Sequence, residues 1–325
     1  MSSALTHADV TPETTALANV ARYVEQARGA HAPNTERAIK ADTGIFSAWC
    51  SQRDLCRLPT AAETIAAFVD DMAPVKSPAT VRRYVASIAH LHRAAEVDPN
   101  PASSNMVKNA LKRLHREKGR AQAQAAPLTR RWVVDKMLDS AGDDTRVLRN
   151  RALLAAAYDT LCRRSELANF DYPDLEMDDC GDGSLTIRRS KTDQEGVGSI
   201  RYLAADTMQE VRAWLAASGI SAGPLFRSVS RHGTIGGAID AGDVARVFKE
   251  MAIVARIPAA KVARVSGHST RVGTALDMVA ANIAMPAVMQ SGGWKTVEMV
   301  SRYTAKVEVC DSGLAQLAAK RQQQA

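Results

Sequence analysis

His268 and Arg271 lie three residues apart in the segment His-Ser-Thr-Arg. On a helix, residues at this spacing share a face. Ser266 and Gly267 directly precede them and are typical of a helix start, where free N–H groups favour anions. An arginine fork and an imidazole placed there could bind a phosphate. A solvated surface pair has the same spacing, so this pattern leaves both interpretations open.

Three further places could carry chemistry. Arg163 and Glu166 are also three residues apart, so the carboxylate could orient the arginine towards an anion or simply form an ion pair. Lys191 follows two arginines in a polar turn, where a lysine is commonly solvated. Tyr303 follows Trp294 by nine residues and could be a nucleophile or a core residue.

The elements that must position these residues are mostly helical. Two segments in which polar and apolar residues alternate predict a β-hairpin, and the polar turn between them contains Lys191. The predicted elements of this half are helices over 130–141 and 145–160, strands over 184–189 and 199–203, and a last helix over 312–321.

The first half of the chain has helical periodicity throughout. Thr60 and Glu63 have the spacing of a capping box, and further helices are predicted over 35–50, from Ser77-Pro78, and up to Gly119. The predicted organisation is an untethered N-terminus over 1–14, a helical bundle over 15–120, a linker over 121–127 and a second domain over 128–325.

The positive charge of the protein is concentrated in the first domain. The chain has 325 residues, 42 Lys and Arg against 35 Asp and Glu, and a net charge of +7. The segment 76–120 holds ten basic and three acidic residues, so it accounts for the whole excess. Arg82, Arg83, Lys108 and Lys112 lie off the apolar stripes of their helices. Such a patch favours a polyanion, although a solvated helix face is the alternative.

The motifs that the sequence lacks exclude several classes of protein. We find neither a membrane-spanning apolar run nor a signal peptide, and we expect a cytoplasmic protein. The five cysteines include no CxxC pair, and the seven histidines have no metal-ligand spacing. There is no Walker loop and no GxGxxG, so no cofactor is expected.

Taken together, the motifs resemble the tyrosine recombinase (phage integrase) family. Leu-Cys-Arg-Arg-Ser-Glu-Leu at 161–167 is similar to the family's first-arginine motif, and Ser-Gly-His-Ser-Thr-Arg-Val-Gly at 266–273 to its HxxR motif. Met-Gln-Ser-Gly-Gly-Trp at 289–294, with Tyr303 nine residues later, resembles its closing motif. The resemblance extends from about Asn34 to the C-terminus and departs in loop lengths, notably at 231–242.

The resemblance implies a mainly α fold. A helical, SAM-like core-binding bundle would precede a mostly helical catalytic domain with a small antiparallel sheet, and the two would form a C-shaped clamp around DNA. It also implies site-specific recombination through a 3′-phosphotyrosine and a Holliday junction, without ATP or another cofactor.

The same resemblance assigns roles to residues. Tyr303 would be the nucleophile, and the other catalytic residues would be Arg163, Glu166, Lys191, His268, Arg271 and Trp294. The residues expected to contact DNA are Arg37, Arg82, Arg83, Lys108 and Lys112. The expected assembly is a homotetramer on double-stranded DNA with inverted-repeat sites, with the C-terminal helix packed on a neighbouring protomer.

Two other functions have similar sequence signatures. A type IB topoisomerase uses related Arg, Lys, His and Tyr chemistry but relaxes DNA as a monomer. A recombinase that has lost catalysis could act as a DNA-binding regulator, although every catalytic position is filled here.

Overall fold

The computed structural model describes residues 11–119, 124–139, 142–188 and 198–304, together with short helical pieces at 313–314, 317–318 and 321. The chain divides into two compact units, Met1–Ala123 and Gln124–Ala325. Most described residues are helical, which confirms the predicted mainly α class. Among them, no helix combines the length and apolar character needed to cross a bilayer.

The first unit is a helical bundle. Its first helix is capped by Thr11 and therefore begins inside the segment predicted to be untethered. The helices are α1 (Pro12–Gln26), α2 (Pro33–Ser51), α3 (Ala62–Met72), α4 (Pro78–Ala94) and α5 (Asn105–Lys118).

Local sequence explains how α4 begins and which face it buries. The Ser77 hydroxyl accepts a hydrogen bond from the Thr80 N–H at 3.3 Å, and Pro78 occupies the first turn. The predicted stripe is buried, with Val81 and Ile88 at 0% exposure. These side chains join an aromatic core in which Phe68 packs edge-on against Phe46.

The capping box predicted at Thr60 is wrong. Helix α3 starts at Ala62, and Ala61 occupies the N-cap without a side-chain hydrogen bond. Thr60 is buried, and its backbone N–H donates to Nε2 of the buried His92 at 3.2 Å. A contact between distant parts of the chain therefore replaces the local cap.

The second unit holds nine described helices and two small sheets. The helix predicted over 130–141 is replaced by a π-helical turn, Arg130–Val134, followed by α6, whereas the predicted 145–160 helix is confirmed as α7. The helices are α6 (Asp135–Asp139), α7 (Thr145–Thr160), α8 (Arg164–Ala168), α9 (Ala205–Ser218), α10 (Asp243–Val254), α11 (Ala259–Ala263), α12 (Ser269–Ala280), α13 (Met285–Gly292) and α14 (Val297–Thr304).

The predicted hairpin is confirmed, and a third strand extends it. Strands β1 (Leu175–Met177), β2 (Gly183–Ile187) and β3 (Ser199–Leu203) form an antiparallel sheet in the order β1-β2-β3. Leu185 pairs with Arg201 in the β2–β3 register. Strands β4 (Arg227–Val229) and β5 (Ile235–Ala238) form a second antiparallel pair.

Helix α7 lies at the centre of the second unit's core. The residues from Ala152 to Ala157 are all fully buried, because α9 and α12 both pack on this helix. Of the predicted linker, the residues from Gln124 onward belong to this unit. Ala126 is 4% exposed, and its N–H donates to the Arg264 carbonyl at 2.9 Å. The core thus fixes the end of α7, where the first motif begins.

Candidate active site

Arg163 lies at the start of a helix rather than within one. Helix α7 ends at Thr160, its C-cap Leu161 adopts the left-handed conformation at φ 50°, and Arg163 then forms the N-cap of α8. Its N–H donates to Glu166 Oε2, and its Nη1 donates to Glu166 Oε1, both at 2.7 Å. The carboxylate therefore fixes both the backbone and the side chain of Arg163, with only 6% of the Glu166 side chain exposed.

Arg271 is buried in α12 with 2% of its surface exposed. Its Nη1 donates to the Leu161 carbonyl, and its Nη2 donates to the Gly292 carbonyl at 3.0 Å. Its Nε is buried and has no hydrogen-bond partner among the described residues. Burial lowers the pKa of Arg271, and the charge of Arg163 lowers it further. Two cations close together with one carboxylate leave this part of the site with a net positive charge that favours an anion.

His268 is the N-cap of α12, so it lies at the end of the helix that carries Arg271. Its Nε2 lies 2.9 Å from the Tyr303 hydroxyl oxygen. The loss of water around the ring lowers the pKa of His268 to about 4, and the charges of Arg271 and Arg163 act in the same direction. The ring is therefore neutral at pH 7, and Nε2 can accept the phenol proton when Nδ1 carries the ring hydrogen.

Trp294 packs directly behind these groups. It is 4% exposed, and the guanidinium carbon of Arg271 lies 5.1 Å from its ring centroid. A Cβ added at Gly292 would lie 2.1 Å from this ring, so only glycine allows the approach. The indole Nε1 is buried and has no partner among the described residues. It is therefore a second donor, after Arg271 Nε, that is available to a ligand.

Tyr303 lies on α14, half-buried, between an imidazole and an indole. Its ring centroid is 5.7 Å from that of His268 and 5.3 Å from that of Trp294. Its backbone carbonyl accepts a hydrogen bond from Gln124 Nε2 at 2.9 Å. The side chain thus packs in a small apolar cluster while its oxygen reaches the only imidazole of the motifs.

The structure thus brings six of the seven predicted catalytic residues into one place in the second unit; the seventh, Lys191, lies outside the described residues. The predicted DNA-contacting residues all belong to the first unit and are exposed; they are Arg37, Arg82, Arg83, Lys108 and Lys112. The described part of the chain holds no cluster of His, Cys, Asp or Glu able to bind a metal ion.

Sequence reasoning missed the backbone groups of the site. The carbonyls of Leu161 and Gly292 hold Arg271, and Gln124 holds the backbone at Tyr303. No side-chain pattern could show which backbone carbonyls accept hydrogen bonds from Arg271, because every residue carries a carbonyl.

Comparison with known proteins gives one consistent result. Residues 128–308 match the phage integrase family. The chain is 31% identical over 283 residues to an integrase/recombinase XerD homologue of Selenomonas ruminantium, covering 84% of this chain and 81% of the relative. It is 27% identical over 297 residues to the recombinase Cre of Escherichia phage P1, covering 86% of each.

Solved structures show the same fold. The XerH site-specific recombinase, bound to a palindromic difH substrate in a post-cleavage complex, superposes with a TM-score of 0.65. The identity is 14%, and the match covers 98% of this chain and 99% of XerH.

Proposed function

The chain belongs to the phage integrase family, the tyrosine recombinases, and from this membership we infer that it is a site-specific DNA recombinase. It cuts and rejoins DNA strands through a 3′-phosphotyrosine and a Holliday junction without ATP. The observation that carries this conclusion is the 2.9 Å contact between His268 and the Tyr303 hydroxyl, beside two buried or half-buried arginines.

The cleavage step exchanges one phosphodiester for another. The Tyr303 oxygen attacks the backbone phosphorus, a new P–O bond forms, and the bond to the 5′-oxygen breaks. His268 takes the phenol proton, because it is neutral and within hydrogen-bond distance. Lys191 would give a proton to the departing 5′-oxygen. The phosphotyrosine keeps the energy of the bond, so a second 5′-hydroxyl can reverse the step.

The positive groups stabilise the charge that develops on the non-bridging oxygens. Arg163 and Arg271 would bind these oxygens, and Glu166 would hold Arg163 in orientation. The unpartnered donors Arg271 Nε and Trp294 Nε1 supply further hydrogen bonds. In other enzymes, the loss of one such donor costs about 3–4 kcal/mol of transition-state stabilisation.

The first unit would supply most of the affinity for DNA. Its exposed cations Arg37, Arg82, Lys108 and Lys112 would neutralise phosphates, and each such contact would steepen the salt dependence of binding. We expect a tetramer that synapses two inverted-repeat sites in the cytoplasm. In this assembly the C-terminal helix would pack on a neighbouring protomer.

The two alternative functions are less well supported. The curated relatives of this chain are recombinases, which favours recombination over relaxation by a topoisomerase. A regulator without catalysis does not need a neutral histidine held against a tyrosine hydroxyl.

The test of this function is covalent trapping. Genomic footprinting of a Tyr303→Phe protein, which should bind without cutting, first identifies a site. A duplex of that site with a nick near the cleavage position then traps the wild-type protein as a covalent adduct, whereas Tyr303→Phe forms none. Tyr23→Phe is the matched control, because it removes a phenol oxygen in the other unit and should leave the adduct yield unchanged. An adduct formed by Tyr303→Phe would disprove the assignment of the nucleophile.

A further inference from the structure

A buried carboxylate holds one of the exposed arginines of the first unit. Asp42 on α2 is 1% exposed, and it accepts hydrogen bonds from Arg83 Nε and Nη2, each at 2.9 Å. Ser87 Oγ, one turn further along α4, donates to the same carboxylate at 3.0 Å. The Arg83 side chain nevertheless remains 57% exposed.

This geometry fixes the orientation of the guanidinium. The two parallel bonds use the edge formed by Nε and Nη2, which leaves three N–H groups on the outer side. The guanidinium carbon also lies 5.6 Å from the Tyr84 ring centroid. An exposed arginine usually samples many rotamers, whereas Arg83 presents its outer Nη1–Nη2 edge in one direction.

The charge of the pair decides what that edge can recognise. Arg83 and Asp42 together are formally neutral, so Arg83 is a poor counterion for a phosphate. A base edge requires aligned donors rather than net charge, and the O6 and N7 acceptors of guanine match a pair of arginine N–H groups. The neighbouring Arg82 is exposed and forms no ion pair within the described part of the chain. Its positive charge is therefore not neutralised there, which suits a contact with a phosphate.

We propose that Asp42 is a positioning residue that holds Arg83 so that its outer N–H groups contact a guanine in the major groove of the target site. Arg83 is thus a specificity-determining residue of this chain, and Arg82 is a general phosphate contact. This proposal rests on the proposed function, because a base-reading residue matters only to a protein that selects its site.

Selection from a randomised duplex library tests the proposal on the 325-residue protein. Wild type should enrich a sequence with a guanine at one defined position. Arg83→Lys keeps the charge and can pair with Asp42, but it cannot form two parallel N–H bonds. It should reduce the preference for that guanine by roughly five- to 140-fold. Asp42→Asn should weaken the preference at the same base pair and at no other.

The salt dependence of binding separates this role from phosphate binding. Arg82→Ala is the matched control on the adjacent residue, and it should lower the slope of log affinity against log salt by about 0.9 without changing the selected sequence. Arg83→Lys should leave the slope unchanged. A uniform loss of affinity across all duplexes in Arg83→Lys would identify a phosphate contact and overturn the proposal.

A purely structural role for Asp42 gives a different result. It would lower the thermal stability of Asp42→Asn while the selected sequence stayed the same, and that outcome also overturns the proposal. If Asp42→Asn does not fold, Arg83→Lys carries the test, because it leaves the buried carboxylate paired. Covalent trapping through Tyr303 is scored independently, so an active enzyme with unchanged base preference refutes only the role of Arg83.

Discussion

The protonation state of His268 provides a direct test of the site. An ordinary histidine has a pKa of about 6.5, so at pH 5.5 about 90% of it would be protonated. The pKa of His268 is lowered to about 4, by loss of water around the ring and then by Arg271 and Arg163. With that value, only about 3% of His268 is protonated at pH 5.5. In the enzyme without DNA, His268 should therefore remain neutral, and able to accept the Tyr303 proton, at pH values where an ordinary histidine is protonated.

Histidine NMR on the protein without DNA measures this value. The imidazole resonance that disappears in a His268→Gln variant is that of His268, and its chemical shift should stay nearly constant from pH 8 to pH 5.5. His232, which is exposed in the same unit, serves as the comparison within the same spectra. A His268 titration with a midpoint near 6.5 would refute the reasoning, because it would mean that neither burial of the ring nor the charges of the two arginines lower its pKa.

The pKa of His268 should also change when the protein binds DNA. A phosphate bound between Arg163 and Arg271 adds negative charge close to the ring, which favours the imidazolium. The pKa of His268 should therefore rise when the Tyr303→Phe protein binds its site. A fall on binding would contradict the placement of the phosphate between these two arginines.

Three further outcomes are expected. Gly292→Ala should lower the rate of DNA cleavage by about 100-fold or more, because the added Cβ would displace Trp294. The control is Gly44→Ala, where a Cβ would meet open space and cleavage should be unchanged. Both variants are assayed by covalent trapping. Lys191→Ala should lose cleavage and recover it on a substrate with a 5′-bridging phosphorothiolate, since a thiolate leaves without a proton; no recovery would exclude Lys191 as the acid. Burial lowers the pKa of His92 in the folded state, so below about pH 6.5 the unfolded state binds the proton more readily than the folded state does. The free energy of unfolding of the first unit should therefore be highest above about pH 6.5 and decline below it. Hydrogen exchange of α4 amides should show this decline, and a His92→Gln variant should show less of it.

The sequence by itself determined the chemical groups and much of the local structure. The identities and spacing of the motif residues around Arg163, His268 and Tyr303 indicated the family, which the comparisons confirmed. Helix α7 and the start of α4 followed from periodicity and from the Ser77 cap, because these signals depend on residues within one or two turns of each other.

Only the tertiary structure decided which groups meet. Tyr303 and His268 are 35 positions apart, on different helices, and the carbonyls that hold Arg271 come from two other segments. His268 and Arg163 were expected on helical faces, but both lie at N-caps, where the chain turns into a helix. Asp42 occupies an inward position of α2 that its polarity argued against, and Arg83, 41 positions later, stabilises it there. Hydrogen bonds and burial between distant segments decide these placements, and neither leaves a trace in local periodicity.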